Sequence, residues 1–385
     1  MKIKILLLSL VGGLLALAAW LVNAPTPTPF NPAPLVEADP ADRDSEKFRE
    51  TVRKGLAYLA KNQFEDGHWE GDGGAHPVAM TALVGLALLM DLGLPGHLRV
   101  DALDDANDRG AKYSAHIRKA ADWLMDKSRG REGLIFSEHP TETARYMEGH
   151  GLATLFLAGV YKDKRDTERR KKLAEILDRA VKYIVKAQSS QGGWHHTSKM
   201  EGHDFDCVSA TVIQIQALQA AENAGIPFPS EALDNSQNYL LAAIGKHGAA
   251  KGKPNRAGPT ETAAALACRY PTKFAVGSMI RDEMGNGWLK YCETEIPMGR
   301  DMVFGRDELT QFYYAQFAFL CGSDSWAEYR AAMFEQLQLS QDKDGGWPAS
   351  DGIGIGRVYA AALWCVVLQL DSKSYPPQRS YFRVL

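Results

Sequence analysis

Two patterns of apolar residues alternate along this chain. In one, apolar positions recur at three- and four-residue intervals between charged ones, as in Glu46 to Lys61, Ser114 to Lys127, Lys171 to Lys186, Ser230 to Ile244, Phe274 to Lys290 and Trp326 to Leu339. Each of these is followed, across a loop, by a nearly continuous apolar segment: Pro77 to Met90, His150 to Tyr161, Cys207 to Ala224, Thr260 to Arg269, Asp307 to Leu320 and Arg357 to Leu370. A helix with a single apolar stripe lies on a surface, whereas one that is apolar all round must be buried. The pattern therefore predicts an all-α protein in which six inner helices are wrapped by six outer ones, an (α/α)6 toroid of six helical hairpin repeats. Closing the ring removes the bare ends that an open solenoid has to cap. Strand signals are almost absent.

A second regularity supports the repeat. Gln63-Phe-Glu-Asp-Gly-His-Trp69, Gln188-Ser-Ser-Gln-Gly-Gly-Trp194 and Gln341-Asp-Lys-Asp-Gly-Gly-Trp347 share the same Gln-to-Trp offset across an Asp/Gly turn. Each stands between an amphipathic helix and an apolar one, and a motif with a fixed internal offset at a fixed place in a helical hairpin marks repeat architecture. These turns resemble the repeats of squalene and oxidosqualene cyclases and of protein prenyltransferase β-subunits, which are α/α toroids. The likeness runs from about residue 45 to about residue 380 and includes Met147-Glu-Gly-His150-Gly-Leu-Ala-Thr154, Asp204-Phe-Asp206, Ser209-Ala-Thr211 and Val358-Tyr-Ala-Ala-Ala-Leu363. Within that superfamily the chain is most similar to exported proteins built of one toroid. The resemblance speaks for the fold; because one fold hosts many chemistries, the site must be argued separately.

Composition adds the compartment. With 385 residues, 45% of them hydrophobic, one toroid over residues 45–385 accounts for nearly all of the chain. Met1-Lys2-Ile3-Lys4 followed by the apolar run Ile5 to Val22 has the form of an export signal, and Val22-Asn23-Ala24 offers small residues for cleavage. The same run is long enough for an uncleaved membrane anchor. Residues 25–44, with Pro25, Pro27, Pro29, Pro32 and Pro34, read as a stiff extended linker. The expectation is an exported, periplasmic or otherwise extracytoplasmic monomer held near a membrane. Removing Lys2 and Lys4 with the signal takes the net charge from −3 to about −5, an ordinary surface that excludes nucleic acid as a natural partner. The basic run Lys162 to Lys172 is interleaved with acids and reads as a solvated connector. Cys207, Cys268, Cys321 and Cys365 fall on inner-helix segments, where a thiol packs as a small hydrophobe, and Cys321 with Cys365 is the pair that an oxidising compartment could join.

Candidate chemistry gathers where inner helices begin. Their parallel N-termini converge on one mouth, where free N–H groups and helix dipoles favour anions and polar ligands. The entry residues are His76, His150, Asp204, Asp206, Thr260, Glu261, Asp307, Gln311, Arg357 and Tyr359, with His203 and Tyr313 nearby. Asp, Thr and Ser are also ordinary N-caps, so each has a structural reading beside the functional one. In class II terpene cyclases the third-unit position carries an Asp-x-Asp-Asp acid, and the resemblance implies Asp206 as proton donor supported by Asp204. Cys207 stands where the last acid would be, and the cyclases of that comparison are built of two toroids. Prenyltransferases place zinc ligands here, but the late-repeat histidine is missing from Arg357-Val-Tyr-Ala-Ala-Ala-Leu-Trp364. No metal or other cofactor is therefore expected. Gly352-Ile-Gly354-Ile-Gly356 lacks the strand and lysine of a phosphate loop and reads as a connector.

Three function classes follow: a binding module using the central cavity for a hydrophobic or polyprenyl-like molecule, a glycan or a peptide; an enzyme, either a terpene cyclase using Asp206 or a polysaccharide-acting (α/α)6 enzyme; and a structural envelope protein with a filled cavity. In the first, the binding residues are His76, His150, His203, Glu261, Gln311, Tyr313 and Tyr359.

Overall fold

The computed structural model describes residues 42–91, 112–129, 132–161, 167–245, 258–270, 282–296, 308–349 and 355–370. The export signal, most of the proline-rich linker, Lys162 to Asp166, Asp307 and Gly352 to Gly354 lie outside them. Among the described residues twelve long helices fall into six pairs: outer α1 (Asp42–Lys61) with inner α2 (Pro77–Asp91), α3 (Ser114–Lys127) with α4 (Tyr146–Tyr161), α5 (Thr167–Ala187) with α6 (Val208–Asn223), α7 (Glu231–Ile244) with α8 (Pro259–Arg269), α9 (Glu283–Glu295) with α10 (Glu308–Cys321), and α11 (Ser323–Leu339) with α12 (Arg357–Leu368). A one-turn helix, Pro140–Thr143, leads into α4. Among the described residues there is no β-strand, only isolated bridges at Gly71–Ala75 and Trp194–Cys207.

Each inner helix packs on the next, and α12 packs back on α2, so the six form a closed ring. The physical cause is the one read from the pattern. From Val78 to Met90 all but one residue of α2 is buried, whereas α5 buries only a stripe of Leu173, Ile176, Leu177, Ala180, Val181, Tyr183, Ile184 and Ala187.

The three Gln-to-Trp turns are one device used three times. Trp69, Trp194 and Trp347 are fully or almost fully buried, and each indole N–H donates to a carbonyl of the preceding outer helix: Leu59 at 2.7 Å, Ile184 at 2.8 Å and Leu337 at 2.7 Å. The glutamine amide donates to the turn carbonyl of Gly67, Gly192 or Gly345 and also to the next outer helix, at His116, Ala232 or Thr51. Those glycines have φ of 104°, 91° and 93°, and a Cβ on any of them would lie 2.4–2.6 Å from a backbone oxygen of that neighbouring helix. The third use joins the end of the chain to its beginning, because Thr51 belongs to α1. The seam is reinforced by Asp72 N–H on Ile355 O and by the Gln369 amide on Ala87 O.

Unit 2 carries a degenerate version that explains a misreading. Gly133 has φ of 104° and abuts Arg179 O on α5, which places Ile135 where the other turns have tryptophan. In units 1 and 3 the tryptophan N–H donates to Thr81 or Thr211 of the inner helix; here the Ile135 N–H donates to His150 Nδ1, and His150 Nε2 bonds Ala180 O. His150 is therefore a wholly buried lock and not a mouth residue. Because α4 starts at Tyr146, His150 lies in its second turn, and burial pushes its pKa down to about 4. The fifth outer helix is described from Glu283, where the extended Asp282 accepts the Met284 N–H as an N-cap, and Phe274 to Arg281 of the expected segment lie outside the described residues. All five cysteines are free thiols; the Cys321–Cys365 pairing does not form.

Candidate functional site

All six inner helices contribute to one central cavity of about 400 Å³. Its deeper wall is apolar: Met80 and Leu83 from α2, Leu152 from α4, Val212 and Ile213 from α6, Ala264 from α8, Phe312 from α10 and Leu363 from α12. Its polar lining comes from the helix entries, with His76, Glu142, Arg145, Glu148, Ser209, Thr260, Glu261, Tyr313 and Tyr359. Of the expected binding residues, His76, Glu261, Tyr313 and Tyr359 thus line one space. Gln311 is buried with its backbone carbonyl toward the Tyr329 hydroxyl, and His203 is exposed. Arg357 points to the turn, pairing with Asp342 at 2.6 Å and Asp344 at 2.9 Å over the Tyr58 ring.

Glu142, Arg145 and Glu148 also line the cavity, although the helix-entry pattern does not single them out. The available signal was local: Arg145 and Glu148 flank the start of an otherwise apolar helix, where isolated charges need a reason. Glu142 Oε1 accepts the N–H groups of Val78, at 2.7 Å, and Ala79, while Thr141 Oγ1 accepts that of His76. The short helix thereby clamps the start of α2 and holds His76 at φ of 52°, a conformation costing a non-glycine residue about 1–3 kcal/mol. Burial raises the Glu142 pKa to about 7, against the lowering effect of those N–H donors. Glu261 reaches back to accept the Gly258 N–H at 2.8 Å, which satisfies one donor at the start of α8.

The third-unit acids sit elsewhere. Asp204 is exposed and accepts the Ser190 N–H at 2.7 Å, and its pKa is lowered by that contact. Asp206 is half-buried, accepts from Ser189 Oγ at 3.1 Å and meets the Tyr239 hydroxyl. Neither lines the cavity. Their neighbours do come together: His196 Nδ1 lies 2.5 Å from Glu148 Oε1, and Cys207 Sγ lies 3.8 Å from His196 Nε2. No group of three or more His, Cys, Asp or Glu among the described residues is placed to hold a metal ion. No described helix is long and apolar enough to cross a membrane.

No family model matches the sequence, and no curated protein matches it. Solved structures do. A variant of the type II terpene cyclase MstE from Scytonema, in complex with geranylgeranyl dihydroxybenzoate as substrate, aligns over 86% of this chain and 98% of its own, with a TM-score of 0.54 at 14% identity. A second MstE variant, holding the product merosterolic acid A, has a TM-score of 0.55 at 13% identity with the same coverage. A protein from Actinoplanes aligns over 84% of this chain and 98% of its own, with a TM-score of 0.53 at 14% identity. The fold is that of the type II terpene cyclases. Since nearly the whole MstE chain aligns with the toroid described above, the expectation that such a cyclase needs two toroids is corrected.

Proposed function

We propose that the central cavity binds a hydrophobic small molecule of polyprenyl type, with its apolar chain among Met80, Leu83, Leu152, Ile213, Ala264 and Leu363 and its polar end at His76, Arg145 and Glu148. The observation that carries this reading is the layering of the cavity itself. Apolar walls with a few convergent polar groups are the usual form of a small-molecule site, and about 400 Å³ lies within the range of ~300–1,000 Å³ that such sites occupy. Glycans and extended peptides need many hydrogen-bond partners along their length, which these walls do not supply. The ligands named for the MstE structures are supporting analogies for the chemistry, not for this chain's own substrate.

The test is direct. Replacing Ala264 by Trp would fill the cavity from α8 without touching a Gln-to-Trp turn, and binding of a fluorescent geranylgeranyl analogue should fall at least tenfold. Unchanged affinity in that variant, with the fold intact by circular dichroism, would remove the reading.

A cyclase is the second reading, supported by Glu142. It is a cavity-lining carboxyl whose burial raises its pKa to about 7, so that a large share of it stays protonated at neutral pH, and protonation of an alkene needs a carboxylic acid in that state. An acid role for Asp206 requires turnover that depends on it, and Asp206→Asn and Glu142→Gln assayed side by side on geranylgeranyl substrates would assign or reject both. Export by residues 1–24 belongs to the same proposal, resting on Lys2, Lys4 and the run Ile5 to Val22; N-terminal sequencing of membrane and soluble fractions checks it.

A further inference from the structure

The loop between Trp194 and α6 brings a thiol, an imidazole and a carboxylate together from separate places in the chain. Cys207 N–H donates to Trp194 O at 2.8 Å, which fixes Cys207 as the N-cap of the sixteen-residue helix α6. Met147 N–H donates to His196 O, and the Ser198 N–H donates to the Tyr146 hydroxyl, so the same loop is laid on the start of α4. His196 consequently sits between Glu148 and Cys207. Nδ1 faces Glu148 Oε1 at 2.5 Å, and the thiol lies against the ring almost equidistant from its two nitrogens, with Sγ 3.8 Å from Nε2 and 3.9 Å from Nδ1. Ser209 Oγ lies 3.4 Å from the same sulfur.

We propose that Cys207 is a nucleophilic thiolate, with His196 as its acid and base and Glu148 as the residue that positions His196, acting on an ester or thioester of a hydrophobic acyl chain. The geometry has the three parts that such a nucleophile requires: a base within reach, a third group orienting the base, and a helix N-terminus favouring the anion. Cys207 does not itself line the cavity, but Glu148 and Ser209 do, and Ser209 Oγ touches the sulfur at 3.4 Å, so the thiol lies one side chain behind the polar entry of the cavity. Cys207 and His196 are half-buried, not sealed. Burial opposes ionisation of Cys207, but His196, Ser209 and the Ala210 N–H outweigh it and lower its pKa. The contacts of His196 with Cys207 and then Glu148 raise its pKa to about 9. The other groups facing this pair are Arg145, bonded to Glu148 at 2.9 Å, His195, with its ring centroid 4.7 Å from that of His196, and, beyond it, Asp206 and His203. Sequence spacing conceals the cluster, because Cys207 stands at the start of the apolar segment that forms α6 and Glu148 lies 48 residues before His196.

The step balances without a further oxidant or cofactor. The thiolate adds to the carbonyl carbon, the bond to the alcohol or thiol leaving group breaks, and the His196 imidazolium gives that group its proton. Water then adds to the resulting thioester, losing its proton to neutral His196, and departure of the Cys207 sulfur restores the ion pair and releases the carboxylic acid. The substrate class rests on the cavity reading; the thiolate does not.

The full chain would be treated with iodoacetamide across pH 5 to 10, with modification at Cys207 followed by peptide mass spectrometry, and assayed with 4-nitrophenyl octanoate and 4-nitrophenyl acetate. Cys207 should alkylate with an apparent pKa at least one unit below the ordinary thiol value of about 8.5. One equivalent of nitrophenolate should be released in a burst that Cys207→Ser abolishes. His196→Gln should return the alkylation profile to that ordinary value, and Glu148→Gln should move it part of the way while Cys207 remains reactive. A wild-type profile centred on the ordinary thiol value, or nitrophenolate release unaffected by Cys207→Ser, overturns the proposal. Equal rates for octanoate and acetate, with the low thiol pKa retained, would overturn the hydrophobic substrate class and with it the cavity reading, leaving the thiolate standing.

Discussion

The turns of units 1 and 3 are built alike and used differently. Trp69 and Trp194 are both buried, both donate their indole N–H ten residues back, and both take a threonine hydroxyl, from Thr81 or Thr211, on the backbone N–H. After Trp69 the chain enters α2 at once through residues 70–76. After Trp194 it runs through the longer loop 195–207, carrying His196 to Glu148 and delivering Cys207 to the start of α6. The repeated part specifies the ring, and the inserted part carries reactive groups. Fold and chemistry are therefore separable within one turn, which mutation can test.

The largest expected effect is on the shared part. Trp194→Ala and Trp69→Ala should each cost about 3–5 kcal/mol in urea unfolding, because each empties a fully buried site. A cost below 1 kcal/mol at either position would break the equivalence.

Next comes a mouth group that is also structural. Glu142 is only 2% exposed, and burial raises its carboxyl to about 7, so the native state keeps a proton that the unfolded chain releases from about pH 4.5 upward. Its contribution is complete below that point and is lost as pH rises through about 7, by at most about 3 kcal/mol. His150, held low at about 4, acts in the opposite sense by destabilising the protein as pH falls below about 6.5. The comparison must therefore be the difference between wild type and Glu142→Gln, whose amide oxygen can still accept the Val78 and Ala79 N–H groups. Identical slopes of stability between pH 5 and 7.5 in the two proteins would show that the carboxyl does not titrate in this way.

Smaller again is the lock itself. Gln188→Ala leaves the Gly192 and Ala232 carbonyls without their amide donor, at a cost of about 1–3 kcal/mol. Gln341→Ala should cost a similar amount although it joins the two ends of the chain, since the same two bonds are lost. A difference of several kcal/mol between these variants in urea melts would mean that the closing seam is not equivalent to an internal one. Smallest of all, Cys207→Ser should cost about 1 kcal/mol or less, because it loses only the thiol's contact with His196 and no part of the lock. A cost comparable to that of Trp194→Ala would erase the separation between the two parts of the turn.

Much of the ring was legible in the residues, because burial periodicity and an obligatory glycine conformation are local properties. The alternation of striped and all-apolar segments determined which helices lie outside and which inside, and the spacing Gln63 to Trp69, repeated at Gln188 and Gln341, determined the turns that bind them. Four mouth residues, His76, Glu261, Tyr313 and Tyr359, could be picked out because a helix start places them. What a residue does inside the ring was decided only by tertiary structure. His150 stands in a motif that looks functional, yet it replaces a threonine and is sealed between Ile135 and Ala180. Cys207 looks like packing, yet two backbone bonds from distant segments set it beside His196 and Glu148. Burial and proximity between segments far apart in sequence depend on where the ring closes, and no local pattern encodes that.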